Sequence, residues 1–174
     1  MEPPLCPAGP FTPEENYDPH RLAAFVAEIE AAPDVLRRAV LGLSDGQLDT
    51  RYKNWTVRQI VHHLADSHVN SYVRFKLALT EDVPTIKPYD EGRWAALDDS
   101  LRGDVGPALD LLHGLHRRWA QLLRSMDPGQ FSRRFMHPER GEQVSLGSAL
   151  AYYAWHGRHH TGQIVWLREN KGWA

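Results

Sequence analysis

The chain has 174 residues, 42% of them hydrophobic and 24% charged, with a formal net charge of −2. These totals suit a single soluble domain spanning 1–174 and give no basic surface for nucleic acid and no apolar run long enough for a membrane span. The one cysteine, Cys6, excludes an internal disulfide, a Cys-x-x-Cys redox pair and a cysteine-rich zinc site; with no basic-then-apolar signal segment at the N-terminus, the expected compartment is the cytoplasm.

Six of the twelve prolines (Pro3, Pro4, Pro7, Pro10, Pro13 and Pro19) come before residue 20, so residues 1–17 are predicted to run as an extended arm. A first helix opens at Asp18-Pro19, a cap followed by a proline whose missing N–H does no harm there. Leu22, Phe25, Val26 and Ile29 recur at helical spacing, Pro33 is predicted to bend or restart the helix, and Leu36, Val40 and Leu43 continue it. Ser44-Asp45-Gly46 reads as the start of a loop.

The second helix has the clearest start. Thr56 with Gln59 three residues on forms a capping box, and Val57, Ile60, Val61, Leu64, Tyr72, Phe75 and Leu79 carry the helix to about Thr80. Pro84 and Pro88 break the long connection that follows, which has room for one helical turn near Arg93-Trp94. A third helix begins around Asp104 to Pro107, carries the stripe Ala108, Leu112, Leu115, Trp119, Leu122 and Met126, and ends at Asp127-Pro128-Gly129. Residues 131–144 are irregular, with room for a small hairpin, and a final helix runs from Ser145 to about Asn170, stopped by Lys171-Gly172. Four long amphipathic helices and no credible sheet predict an all-α four-helix bundle.

The chemistry lies in the histidines. In the final helix the stripe Leu146, Ala149, Tyr153, His156, His160, Ile164 and Leu167 advances by three or four, which stacks two imidazoles on the buried face. Each buried group left without a partner costs about 1–3 kcal/mol, and one divalent ion satisfies both rings. The second helix offers His62, His63 and His68, among which periodicity does not choose. His20, His113, His116 and His137 read as surface or loop residues. Between His156 and His160 stand Gly157, Arg158 and His159, so the glutamate base of a His-Glu-x-x-His helix is absent. Asp66 and Asn70 are candidates for orienting a ligand or substrate, and Arg74, Tyr89 and Arg158 for holding an anionic substrate.

Trp55-Thr56-Val57-Arg58-Gln59-Ile60-Val61-His62-His63-Leu64-Ala65-Asp66-Ser67-His68 and Asn70-Ser71-Tyr72-Val73-Arg74-Phe75-Lys76 resemble the DinB/YfiT family. Pro84-Thr85-Ile86-Lys87-Pro88-Tyr89-Asp90-Glu91, His137-Pro138-Glu139 and Tyr153-Ala154-Trp155-His156 extend the resemblance, as do Pro7-Ala8-Gly9 and Gly172-Trp173. It implies a four-helix bundle with a long crossover connection, a homodimer, and one divalent metal ion per subunit held by His63, His156 and His160. Zinc is the expected ion, with nickel or another transition metal able to use the same imidazoles.

Three protein ligands leave a fourth position for a nucleophile. The first expectation is therefore a metal-dependent hydrolase acting on a small molecule. The alternative is a thiol S-transferase of the bacillithiol-dependent kind, which would conjugate a low-molecular-weight thiol to electrophiles. A third reading is a non-catalytic, metal-stiffened binding module whose ion is closed by a fourth protein ligand such as His68 or His159.

Overall fold

A computed structural model describes residues 2–14 and 17–173; residues 1, 15 and 16 of the expected arm, and residue 174, lie outside the described residues. The order of elements is α1 (Pro19–Val40), α2 (Asp45–Leu48), β1 (Arg51–Tyr52), β2 (Trp55–Thr56), α3 (Val57–Thr80), α4 (Glu91–Ala95), α5 (Asp98–Arg102), α6 (Val105–Ser125), α7 (Pro128–Phe131), β3 (Arg134–His137), β4 (Glu142–Ser145) and α8 (Leu146–Lys171). The four long helices form the bundle. Among the described residues, no helix is long and apolar enough to cross a membrane.

Local chemistry sets the helix ends. Asp18 caps α1 with Pro19 just inside, Thr56 and Gln59 close a full capping box on α3, and Asp104 and Ser145 cap α6 and α8. At its far end α8 stops on Gly172, whose φ of +64° favours glycine. Two details differ from the sequence reading. Ser44 starts a short helix rather than a loop, because Gln47 completes a capping box with it. And α1 runs unbroken through Pro33: the carbonyl that this proline cannot serve, that of Ile29, accepts a hydrogen bond from the His116 ring instead.

α1 packs against α6 and α8, and α3 packs against the same two helices, so the consecutive pairs α1/α3 and α6/α8 stand on diagonals. The diagonal crossings are made by two compact connections, each carrying a short helix and a two-stranded antiparallel hairpin. In the second, Arg134 pairs with Ser145 and His137 with Glu142. The longer 81–104 connection is held against α3 by a hydrogen bond of 2.7 Å from Gln59 Nε2 to the Ala95 carbonyl. Arg58, buried at the start of α3, adds bonds to Asp49, Asp45 and the Gly103 carbonyl.

The apolar core is in two halves. One gathers Leu36, Val57, Ile60, Val61, Leu64, Leu112 and Ile164; the other gathers Ile29, Phe75, Trp119, Leu123, Leu146 and Leu150. Between them three of the four long helices interrupt their apolar stripes. In α3 the gap holds His68 and Ser71, in α6 it holds His116, and in α8 it holds His156, His159, His160 and Thr161, all buried. A layer of imidazoles therefore crosses the bundle, and the candidate site is its edge.

Candidate metal centre

The capping box at Thr56 fixes the phase of α3 so that His63, less than two turns in, faces α8. There His156 and His160 stand one turn apart, and one nitrogen from each of the three buried rings lies within 4.8 Å of the others. His63 Nε2 and His156 Nε2 are 3.1 Å apart. Two imidazoles on a tetrahedral ion with bonds of 2.0–2.1 Å are separated by about 3.3 Å, so this pair already stands at the spacing such an ion needs. Nδ1 of His160 donates to Gln163 Oε1 at 2.9 Å, which leaves Nε2 as its free nitrogen. Trp55, carried on β2, packs over the His63 ring with centroids 4.5 Å apart and stacks more distantly on His160.

All three rings are held neutral. Burial, and then the neighbouring His160, push His63 down to about 3. Burial takes His160 to about 4 against the opposing bond to Gln163, and drives His156 well below its ordinary value. A neutral imidazole is the form that binds a metal, so the site needs no deprotonation to accept one at neutral pH.

Beside His156 a cavity of about 1110 Å³ opens, lined by residues of α3, α8, the β3–β4 hairpin, the 81–104 connection and the N-terminal arm. Arg74 reaches it from α3 with its guanidinium 3.4 Å from the Tyr153 hydroxyl. Among the described residues no carboxylate lies within ion-pair distance of Arg74, whereas Arg140, also on the wall, sits 3.6 Å from Glu142. Tyr89 is hydrogen-bonded to Ser67, and burial raises its hydroxyl well above the ordinary tyrosine value, so it stays protonated and able to donate. The arm closes one side: Phe11 packs on Tyr152 and Trp155, and the Trp155 indole donates to the Gly9 carbonyl at 2.8 Å. Where the arm crosses α8, a Cβ on Gly162 would stand 3.0 Å from Pro7, so glycine permits the approach.

The structure thus brings His63, His156 and His160 together and places Arg74 and Tyr89 on the adjoining wall. The other three candidates stand elsewhere. Asp66 faces Asp99, and burial, with that second carboxylate adding, raises it to about 6. Asn70 donates to the Asp66 backbone carbonyl at 2.9 Å, and Arg158 pairs with Glu28 on the outer side of α8. None of the three lines the cavity.

Two histidines proposed for a closing role do not take it. His68 Nε2 lies 3.3 Å from His156 Nδ1, the nitrogen turned away from the His63 ring, and His159 stacks on Trp155 and bonds to Gln163 Nε2 at 3.1 Å. His62 turns to the Gly103 carbonyl. His116 is a correction to the sequence reading: it is 0% exposed and sits in the centre of the bundle, 2.8 Å from His68 Nδ1. Its position three before Trp119 and four after Leu112 is the signal that places it on the buried face.

Residues 28–164 match the DinB superfamily. The chain is 46% identical over 170 residues to a Bacillus subtilis protein named "Putative metal-dependent hydrolase YfiT", covering 97% of this chain and 96% of that one. A Bacillus mycoides relative, also named a "Putative metal-dependent hydrolase", is 49% identical over 169 residues, covering 96% of each. The solved structure of Bacillus subtilis YfiT, described as "a probable metal-dependent hydrolase with an unusual four-helix bundle topology", superposes with a TM-score of 0.95 over 97% of this chain and 98% of that one, at 46% identity. With its bundle, its histidines and this likeness over nearly the full length, the chain belongs to the DinB superfamily.

Proposed function

We propose that this chain is a metal-dependent hydrolase of a small polar substrate, with one divalent ion, zinc in the first instance, held by His63, His156 and His160. The observation that carries the reading is the convergence of three buried, neutral imidazole nitrogens within 4.8 Å beside a cavity large enough for a metabolite. No fourth His, Cys, Asp or Glu among the described residues joins that group, which favours an open catalytic position over a closed structural site. The names of the relatives point the same way.

When bound, such an ion supplies a Lewis acid able to lower the pKa of water to about 7. The residues around it divide the remaining work. Gln163 holds His160 with Nδ1 protonated and Nε2 free. Arg74, with no carboxylate in ion-pair distance among the described residues, offers a guanidinium to a carboxylate or phosphate on the substrate. Tyr89, kept neutral, is a donor on the same wall. Phe11 and Tyr152 give the same cavity an apolar face.

The test is to offer zinc-loaded protein a panel of ester and amide substrates beside low-molecular-weight thiols paired with monochlorobimane. Metal-dependent release of acid from the first set, lost in His160→Ala while far-UV circular dichroism stays unchanged, supports hydrolysis. Conjugation that requires both thiol and metal replaces it with thiol transfer. Silence of both panels, with a loss of stability in His160→Ala, favours the non-catalytic module.

A further inference from the structure

The polar layer holds more imidazoles than a three-nitrogen site uses, and the surplus is ordered. We propose that His68 and His116 are positioning residues that lock the tautomer and ring orientation of His156, anchoring it to the backbone carbonyl of Ile29 so that Nε2 is left as the metal-facing lone pair. This rests on the metal reading above and is independent of whether the reaction is hydrolysis.

The direction of every hydrogen bond follows from the far end. His116 Nδ1 contacts the Ile29 carbonyl oxygen, which can only accept, so Nδ1 carries the hydrogen. A neutral imidazole has one N–H, so His116 Nε2 is an acceptor, and at 2.8 Å its donor is His68 Nδ1. His68 Nε2 is then an acceptor in turn, and the donor facing it at 3.3 Å is His156 Nδ1. Nε2 of His156, 3.1 Å from His63 Nε2, is left without a hydrogen. One assignment satisfies the whole series and no other does.

The anchor is built into the sequence of α1. Pro33 has no N–H to give the carbonyl four residues earlier, and that carbonyl belongs to Ile29. A mid-helix proline therefore creates a buried acceptor, and His116 occupies it. The path touches all four long helices, from α1 through α6 and α3 to α8, so the orientation of His156 is coupled to the packing of the entire bundle. His68 and His116 are 1% and 0% exposed, so neither ring reaches bulk solvent. Trp119 packs edge-on against both rings and Tyr153 against His68.

A purely structural pair would be served better by leucines, since every buried imidazole nitrogen demands a partner. A proton-conducting role fits poorly too, because the path ends on a carbonyl that has no proton to release. Gln163 gives the same service to His160, accepting from its Nδ1. Partners of this kind, which receive the second N–H of a ligand histidine, raise metal affinity by fixing the ring.

Two measurements test the proposal on the full chain. In zinc-loaded protein labelled with 15N-histidine, long-range 1H–15N correlation spectra should show His68, His116 and His156 all protonated on Nδ1; an Nε2–H tautomer at any of the three overturns it. In a competition with a chromophoric chelator, His116→Phe, which keeps the volume and removes both nitrogens, should bind zinc about 10- to 100-fold more weakly, and His116→Gln, which can accept from His68 and donate to Ile29, should recover much of the loss. Wild-type affinity in a folded His116→Phe protein overturns the inference while leaving the metal site standing. Failure of the wild type to bind zinc overturns the metal reading and the inference with it. Should His116→Phe not fold, the tautomers of the wild type decide.

Discussion

Acid should unfold the metal-free protein through its buried histidines. His63, His68, His116, His156 and His160 are neutral when folded: burial holds His63 at about 3 and His116 and His160 at about 4, and drives His68 and His156 well below the ordinary histidine value. In the unfolded chain each titrates near 6.5. Because the folded value is the lower one, the unfolded state takes up protons first, and stability present above pH 6.5 is lost as the pH falls. Between pH 7.5 and 5.5 each of the three rings at about 3 or 4 contributes a loss of about 1.4 kcal/mol, about 4 kcal/mol together, and His68 and His156 add to it in the same sense, which approaches the whole stability of a marginal domain. Asp66, raised to about 6, works in the opposite sense, but solvent screening keeps it below about 1 kcal/mol. Urea unfolding followed by far-UV circular dichroism in a chelating buffer at pH 7.5, 6.5 and 5.5 measures the slope. Zinc at a thousand times its dissociation constant should restore about 4 kcal/mol at the upper end of this range, since only neutral rings bind it. A free energy of unfolding that stays flat within about 1 kcal/mol, or rises towards acid, would refute the account of these rings as buried and neutral.

Three further outcomes follow from particular residues. Arg74→Gln should raise KM for the anionic substrate about 10- to 100-fold with kcat little changed, in steady-state kinetics, because a binding contact made equally in ground and transition states is removed. Leu150→Ala, at a fully buried site in the core half around Phe75 and Trp119, should cost about 2–5 kcal/mol in urea unfolding without altering zinc affinity. Pro33→Ala should stabilise α1, by up to about 3 kcal/mol, while weakening zinc binding, because its new N–H competes with His116 for the Ile29 carbonyl; a titration showing both properties improved would count against that competition.

What was legible in the sequence is what local chemistry decides. Asp18-Pro19, the Thr56–Gln59 box and Gly172 fix helix ends using contacts within a few residues, and all three stand where the pattern puts them. His156 and His160 were readable because two steps of one stripe leave no doubt about their face. His63 was not readable from periodicity; the resemblance chose it, and the packing of α3 on α8 brings its ring to the other two. His116 was misread because α6 admits two stripes in the same register. Both share Leu112 and Trp119: the one read from the sequence adds Leu115 and Leu122, which are only half-buried, and the other adds His116 and Leu123. Choosing leucines over a histidine is sound for a lone helix and fails where a neighbouring helix supplies a hydrogen-bond partner.

Pro33 shows why that failure was systematic. A sequence reading treats an interior proline as a defect and predicts a bend, since the missing N–H leaves one carbonyl without a partner. A sequence reading also treats a histidine beside a tryptophan in an amphipathic helix as surface, since a buried imidazole needs two partners. Each inference is correct about the need and wrong about where it is met. The carbonyl left over in α1 and the ring left over in α6 satisfy each other, 87 positions apart in the chain. The remaining nitrogen of that ring then calls for His68, and His68 for His156. Local rules identify the unmet groups, and only the assembled bundle shows that they are the two ends of one path leading to the candidate metal centre.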